Sequence, residues 1–457
     1  MKYQATGLDI ILIVVYFLLI LAFGYAYSKK LPKAIKGHFI KGLTLKLICG
    51  LGFGWVFVYY YGGGDTTNYY DGASYIYDYV INKGQGFEIF FDDKLLITAR
   101  ESKVATQFTQ RFAGFVNLFS MNSFWSCTLL FSLLSFIGVW LIFLTFYRRF
   151  PHLNKQLALA ILFIPGVAFW SAGIMKDSIC MLFVGVIVYY IQNIFLYNRK
   201  KIFSAIMLVT GFYVIITLKA YIALALFVAL GVYILSTLKS KIKSPALRAL
   251  MMPVLAVIIV GITLLSMRKI GESLERYSLE NIVETAQVYQ NYHFRTSIAG
   301  RGSENRTGSA YTLGEINFNS PINILSKIPL AINVTFFRPY VWEVRNPVML
   351  LSALESTFIL LFTLSILWRT GVRKFFSNIF RSREVVFCLT FALIFGFAVG
   401  FTTYNFGSLV RYKTPCIPFF MVSLVILNSL AQKSKPPVQR RTAMRRQVPS
   451  AIKQLPY

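Results

Sequence analysis

One stretch of the chain has residue types and spacing suited to chemistry at a membrane boundary: Gly62-Gly63-Gly64-Asp65-Thr66-Thr67-Asn68-Tyr69-Tyr70-Asp71. Consecutive glycines free the backbone from ordinary φ/ψ limits and end the apolar run before them. An acid follows at once, where the chain should leave the bilayer. A carboxylate there can accept the proton of a hydroxyl as that hydroxyl attacks an electrophilic carbon. Asp71 and Asp78 stand about two helical turns apart, so a helix would put them on one face. Tyr69, Tyr70, Tyr75, Tyr77 and Tyr79 surround them with rings suited to the interface.

A second group is cationic. Phe169-Trp170-Ser171-Ala172-Gly173-Ile174-Met175-Lys176-Asp177 follows Pro165, a helix-bending residue, and puts a Lys-Asp pair beside apolar sequence. A charge so close to hydrocarbon is expensive unless it faces a polar cavity, which marks Lys176 and Asp177 as candidate site residues. Their alternative role is a self-neutralising pair that caps a hairpin. Lys219 stands in a similar position between two apolar blocks, and Arg338, Glu343 and Arg411 lie among aromatic residues further on. Fixed cations suit a leaving phosphate, with Arg the better geometric match and Lys a point charge. Rings such as Trp170, Tyr69 and Tyr70 suit sugar faces.

Composition says what must carry these residues. The chain has 457 residues, of which 56% are hydrophobic and 14% charged, whereas soluble domains carry about 25% charged residues. The apolar residues gather in blocks long enough to cross a bilayer as helices. Net charge is +29, but the basic residues form short runs between the blocks and nearly all acids fall in the alternate connectors. That is the pattern that orients membrane proteins, and it does not point to nucleic acid. The five cysteines are scattered in or beside apolar blocks with no zinc or haem spacing, and His293 has no ligand set nearby. No dedicated metal site is expected, and no phosphate-cradling glycine loop or dinucleotide fingerprint is present.

The expected architecture is all-α, a polytopic transmembrane helical bundle of about 11 spans, over 1–432. The spans fall at about 8–26, 47–61, 124–146, 156–172, 178–197, 203–218, 220–238, 249–266, 348–368, 385–403 and 412–431. With the N-terminus outside, the basic connectors lie inside, and two large extracytoplasmic loops, about 62–123 and 267–347, carry surface helices. Glycine and serine around Gly300–Ser303 suggest a lid in the second loop. Residues 433–457 read as a basic, disordered cytoplasmic tail. The expected location is a bacterial inner membrane.

This layout resembles the GT-C superfamily of integral-membrane glycosyltransferases, on the strength of Gly64-Asp65-Thr66-Thr67-Asn68-Tyr69-Tyr70, the Phe169–Asp177 phrase and the closing Arg411-Tyr412-Lys413-Thr414-Pro415. The resemblance implies a lipid-linked sugar donor, a glycan, lipid or protein acceptor, Asp65 as base with Asp71 as a second acid, and Lys176, Arg338 and Arg411 on the donor phosphate. It departs from the superfamily in an extra first helix and in acids that are not adjacent, which leaves a divalent cation open. Gly64–Tyr69 also resembles an early motif of exopolysaccharide polymerases, so a polymerase or ligase of the O-antigen type, using lipid-pyrophosphate donors, is the nearest rival. A lipid or sugar transporter or flippase is the alternative of another class.

Overall fold

The computed structural model describes residues 3–92, 95–96, 104–241, 310–314, 316, 320–345 and 347–433. The expected span at 249–266, the Gly300–Ser303 segment, His293 and the tail lie outside the described residues. Among the described residues every regular element is helical, with a single β-bridge between Ala310 and Asn405. Of the helices in the described residues, seven are long and apolar enough to cross a membrane, or eight if one bent pair is a single span. This is a helical, multi-pass membrane protein.

The chain divides into two compact units, Met1–Ile194 with Arg199–Lys219, and Phe195–Asn198 with Ala220–Pro436. In the first, α1 (Gly7–Ser28) and α2 (Lys33–Trp55, extended by a π-turn at Val56–Tyr60) run against α5 (Phe124–Tyr147). Thr6 and Asp9 cap α1 reciprocally, and Asp9 also accepts a hydrogen bond from Ser123 Oγ at 2.6 Å. The second span therefore starts at Lys33, well before the expected 47, because Lys33, Lys36, Lys41 and Lys46 do not interrupt the helix. Lys and Arg are good helix formers and only their charge disguises them.

The expected span at 156–172 is not one helix. It is α6 (Asn154–Ile161) and α7 (Pro165–Trp170), with Pro165 opening the second piece. Proline lacks the N–H that would continue α6, and it suits the first turn of a new helix. Next comes α8 (Lys176–Phe195), which crosses α5 at Gly138 and Gly185. A Cβ on Gly185 would lie 2.0 Å from Gly138 O, and one on Gly138 would lie 2.2 Å from Met181 O, so the two backbones touch. Small residues permit this approach where lipid supplies no hydrophobic drive between helices.

The two expected spans at 203–218 and 220–238 form a single run, α9 (Lys201–Lys241), broken at Lys219 (φ −150°, ψ 79°). The break is also where the two units meet along the chain. Tyr190 against Phe203 and Ile187 against Gly211 set the first half antiparallel to α8.

In the second unit the stretch expected as the second outer loop contains α10 (Pro321–Ser326) and α11 (Ile328–Phe337), followed by α12 (Pro347–Thr370), α13 (Val372–Ile379) and α14 (Arg383–Thr402). Ala331, Val334, Thr335 and Phe336 bury α11 against α14, and Thr335 Oγ1 donates to Gly396 O at 2.6 Å. The expected last span at 412–431 is a bent pair, α15 (Phe406–Tyr412) and α16 (Ile417–Lys433), meeting at 66°.

Candidate functional site

The glycine triplet does what its residue types require. Gly62, Gly63 and Gly64 have φ of +71°, +130° and +145°, a conformation that side chains rarely adopt. They turn the chain from the end of α2 into α3 (Asp65–Tyr77), of which Asp65 is the first residue. Thr67 fixes the turn: its hydroxyl accepts from Gly64 N–H at 3.0 Å and donates to Gly64 O at 2.8 Å. A carboxylate at a helix N-terminus sits where the helix dipole favours negative charge. Asp65 is exposed.

The stretch expected as the first outer loop is helical over much of its described length. Besides α3 it contains α4 (Val104–Asn117), and the two pack closely. Lys176, the first residue of α8, reaches this pair. Its Nζ donates to Thr106 Oγ1 at 3.0 Å and lies 5.4 Å from the centre of the Tyr69 ring. Asp65 acts on the same ammonium electrostatically. Asp65, Tyr69 and Lys176 thus form one group, with Thr106 an addition that the sequence did not single out.

Asp177 does not pair with its neighbour Lys176. It is 1% exposed and bound by Lys219 Nζ at 2.5 Å, so the cation at the break in α9 neutralises it. The hairpin-capping role expected as the alternative for the Lys-Asp pair is filled by Lys219 and Asp177, leaving Lys176 to the surface helices.

The remaining residues of this unit are placed differently. Asp71 accepts from Tyr3 Oη at 2.7 Å, and burial together with that carboxylate raises the Tyr3 phenol. Six residues of helix separate Asp71 from Asp65, about 120° around the axis, so the two acids do not face one point. Tyr70 is buried and donates to Asn122 O at 2.5 Å. Trp170 is a core ring, edge-on to Phe53 and Phe169. Among the described residues no group of three or more His, Cys, Asp or Glu could hold a metal ion.

In the second unit, the Arg338 Nε donates to both Glu343 oxygens at 3.1 and 3.0 Å, and Tyr340 N–H donates to Glu343 at 2.8 Å. The guanidinium lies 5.2 Å from the Phe406 ring centre and 5.9 Å from those of Tyr311 and Tyr340. Burial pushes the Glu343 carboxyl up, but the donors from Arg338 and Tyr340 and the charges of Arg338 and Arg345 outweigh it and hold it below the ordinary value. Arg411 stands over the Tyr412 ring at 5.7 Å. Lys413, which was not a candidate, is 2% exposed and donates to Ser356 Oγ at 3.1 Å and Arg338 O at 3.4 Å. Glu355, on α12, acts electrostatically on it and so faces the bundle.

The candidates therefore fall into two sets, Asp65, Asp71, Tyr69, Tyr70, Trp170, Lys176, Asp177 and Lys219 in the first unit, and Arg338, Glu343 and Arg411 in the second.

One further cation was hidden by its neighbours in sequence. Lys46 is 3% exposed inside α2, and its Nζ donates to Ser171 Oγ at 2.6 Å and Val167 O at 3.1 Å. It caps the carbonyl end of short α7. As one of a run of lysines it read as part of a basic connector.

The helices and their charged ends define the class: a multi-pass helical membrane protein with polar groups gathered at one end of its first unit. No protein-family model, curated protein or solved structure matches the chain.

Proposed function

We propose that the chain is a membrane glycosyltransferase that moves a sugar from a polyprenyl-phosphate donor to an acceptor hydroxyl on the extracytoplasmic face. The observation that carries this reading is the group formed by exposed Asp65, the Lys176 ammonium and the Tyr69 ring. In the proposed step Asp65 takes the acceptor proton, the acceptor oxygen bonds to the anomeric carbon, and the bond from that carbon to the phosphate oxygen breaks. The phosphate leaves with its electron pair, met by Lys176. Lys176 suits the role better than Arg338, whose guanidinium is engaged by Glu343.

Charge supports the orientation. In the first unit, Asp9, Asp65, Asp71 and Asp177 lie toward the end where Ser123 meets Asp9 and Tyr3 meets Asp71. Lys29, Lys30, Arg148, Arg149 and Arg199–Lys201 lie at the other ends of the same helices. By the positive-inside rule the basic end is cytoplasmic, with the N-terminus outside in a bacterial inner membrane.

The test is to incubate purified protein with a panel of polyprenyl-phosphate and polyprenyl-pyrophosphate sugars and to follow transfer by mass spectrometry. Transfer from a monophosphate donor, lost in Asp65→Asn while the protein still inserts and folds, is the expected result. Transfer only from pyrophosphates would replace this reading with the polymerase or ligase one. Full activity in Asp65→Asn would remove the base.

A further inference from the structure

The short helix α13 is divided into three faces. At about 100° per residue, Phe375, Asn378 and Ile379 share the face that packs on α12 and α16, and Asn378 is 3% exposed. Val372, Phe376 and Phe380 share the next, exposed by 61%, 56% and 80%. Arg373, Lys374, Ser377 and Arg381 share the third, all exposed. Trp368, near the end of α12 and before the turn at Gly371 (φ +74°), is 89% exposed and is a further open ring close in sequence to the apolar row.

An apolar row this open is unfavourable in water and marks a contact with membrane or protein. A purely lipid-facing helix, however, has no use for a basic face beside it. The two faces together suit a helix lying in the interface, with rings in the acyl boundary and cations at headgroup depth. The local charge is of one sign. Glu384, the only acid between Trp368 and Glu384, is 3% exposed and accepts from Ser382 Oγ at 3.0 Å and Arg383 Nε at 3.2 Å. Nothing acidic on the segment competes for the exposed cations.

From this arrangement we infer that α13 is a binding site for anionic phospholipid, with Trp368, Val372, Phe376 and Phe380 seated among acyl chains and Arg373, Lys374 and Arg381 on the headgroup phosphates. The inference is independent of the enzymatic reading and holds for any function of the chain.

The test uses the full-length protein in phosphatidylcholine nanodiscs containing a minor fraction of brominated phosphatidylglycerol or of brominated phosphatidylcholine. Bromine quenches tryptophan at contact, and the difference between wild type and Trp368→Phe isolates Trp368. Brominated phosphatidylglycerol is expected to quench Trp368 more strongly than brominated phosphatidylcholine at equal mole fraction. In the triple variant R373Q/K374Q/R381Q that preference is expected to fall by roughly fivefold for each charge removed, until the two lipids quench alike. These positions are exposed, and an unchanged thermal unfolding midpoint shows that the variant is folded. Equal quenching in wild type, no quenching by either lipid, or a preference that survives the triple substitution would overturn the inference.

Discussion

Replacing Asp177 by Asn removes the carboxylate bound to the buried Lys219 ammonium, and it is expected to destabilise the protein by about 3–5 kcal/mol. The estimate follows from the geometry. At 2.5 Å, two unit charges in a medium of effective dielectric about 20 attract by roughly 7 kcal/mol. Taking both out of water costs several kcal/mol per ion, and here the side chains are only 8% and 1% exposed. The intact pair thus adds little net stability, whereas the broken pair is expensive. Asp177→Asn also leaves Lys219 near Lys176, which it repels. Lys219→Met should be milder, about 1–3 kcal/mol, because adjacent Lys176 can turn to Asp177 and give up Thr106. The double variant D177L/K219M should return to within about 1 kcal/mol of wild type, since apolar residues replace buried pairs without penalty. Unfolding in detergent by graded denaturant, followed by tryptophan fluorescence, gives the four free energies of the cycle. Single substitutions that each cost under about 1 kcal/mol, or a double variant as unstable as the two singles combined, would refute the reasoning.

Other parts of the molecule make separate predictions. Gly185→Val, placed against Gly138 O, should cost at least about 1–3 kcal/mol and lower the thermal unfolding midpoint, because backbone cannot move aside as a side chain can. Lys46→Met should leave that midpoint unchanged or raise it, since Ser171 Oγ still donates to Val167 O and a buried ammonium disappears. Lys46→Glu should prevent folding, read as loss of a monodisperse peak on size-exclusion chromatography. Because the Glu343 carboxyl is held below its unfolded value, its contribution is fully present above about pH 4.5 and is lost as pH falls through the lowered folded value. The midpoint of wild type should therefore exceed that of Glu343→Gln at neutral pH and converge on it in acid.

The sequence allowed the membrane class and the glycine turn to be read directly, because each rests on local chemistry. Apolar length marks a span whatever packs against it, and consecutive glycines mark a helix end because they weaken a helix interior and admit positive φ. Helix ends inside charged runs were not legible. Lys33 to Lys46 looked like a connector because charge was taken as a stop signal, although lysine propagates a helix well. Lys46 finds its acceptors on α7, more than a hundred residues later, and no local pattern announces that. The same holds for Asp177, whose partner is Lys219 across a helical hairpin and not the lysine beside it. Pro165 was visible as a bend, but whether a proline bends a helix or starts a new one depends on the tertiary groups that satisfy the freed carbonyls.

The left-handed run at Gly62–Gly64 has a mechanical consequence. It uncouples the heading of α3 from that of α2, so Asp65, the first residue of α3, takes its direction from the α3–α4 pair. Thr106, which holds Lys176, rides on the same pair. The direction of Asp65 is thus set by the packing of α3 on α4 and by the Tyr3–Asp71 and Tyr70–Asn122 bonds, and a change at any of these turns the carboxylate without reshaping α2.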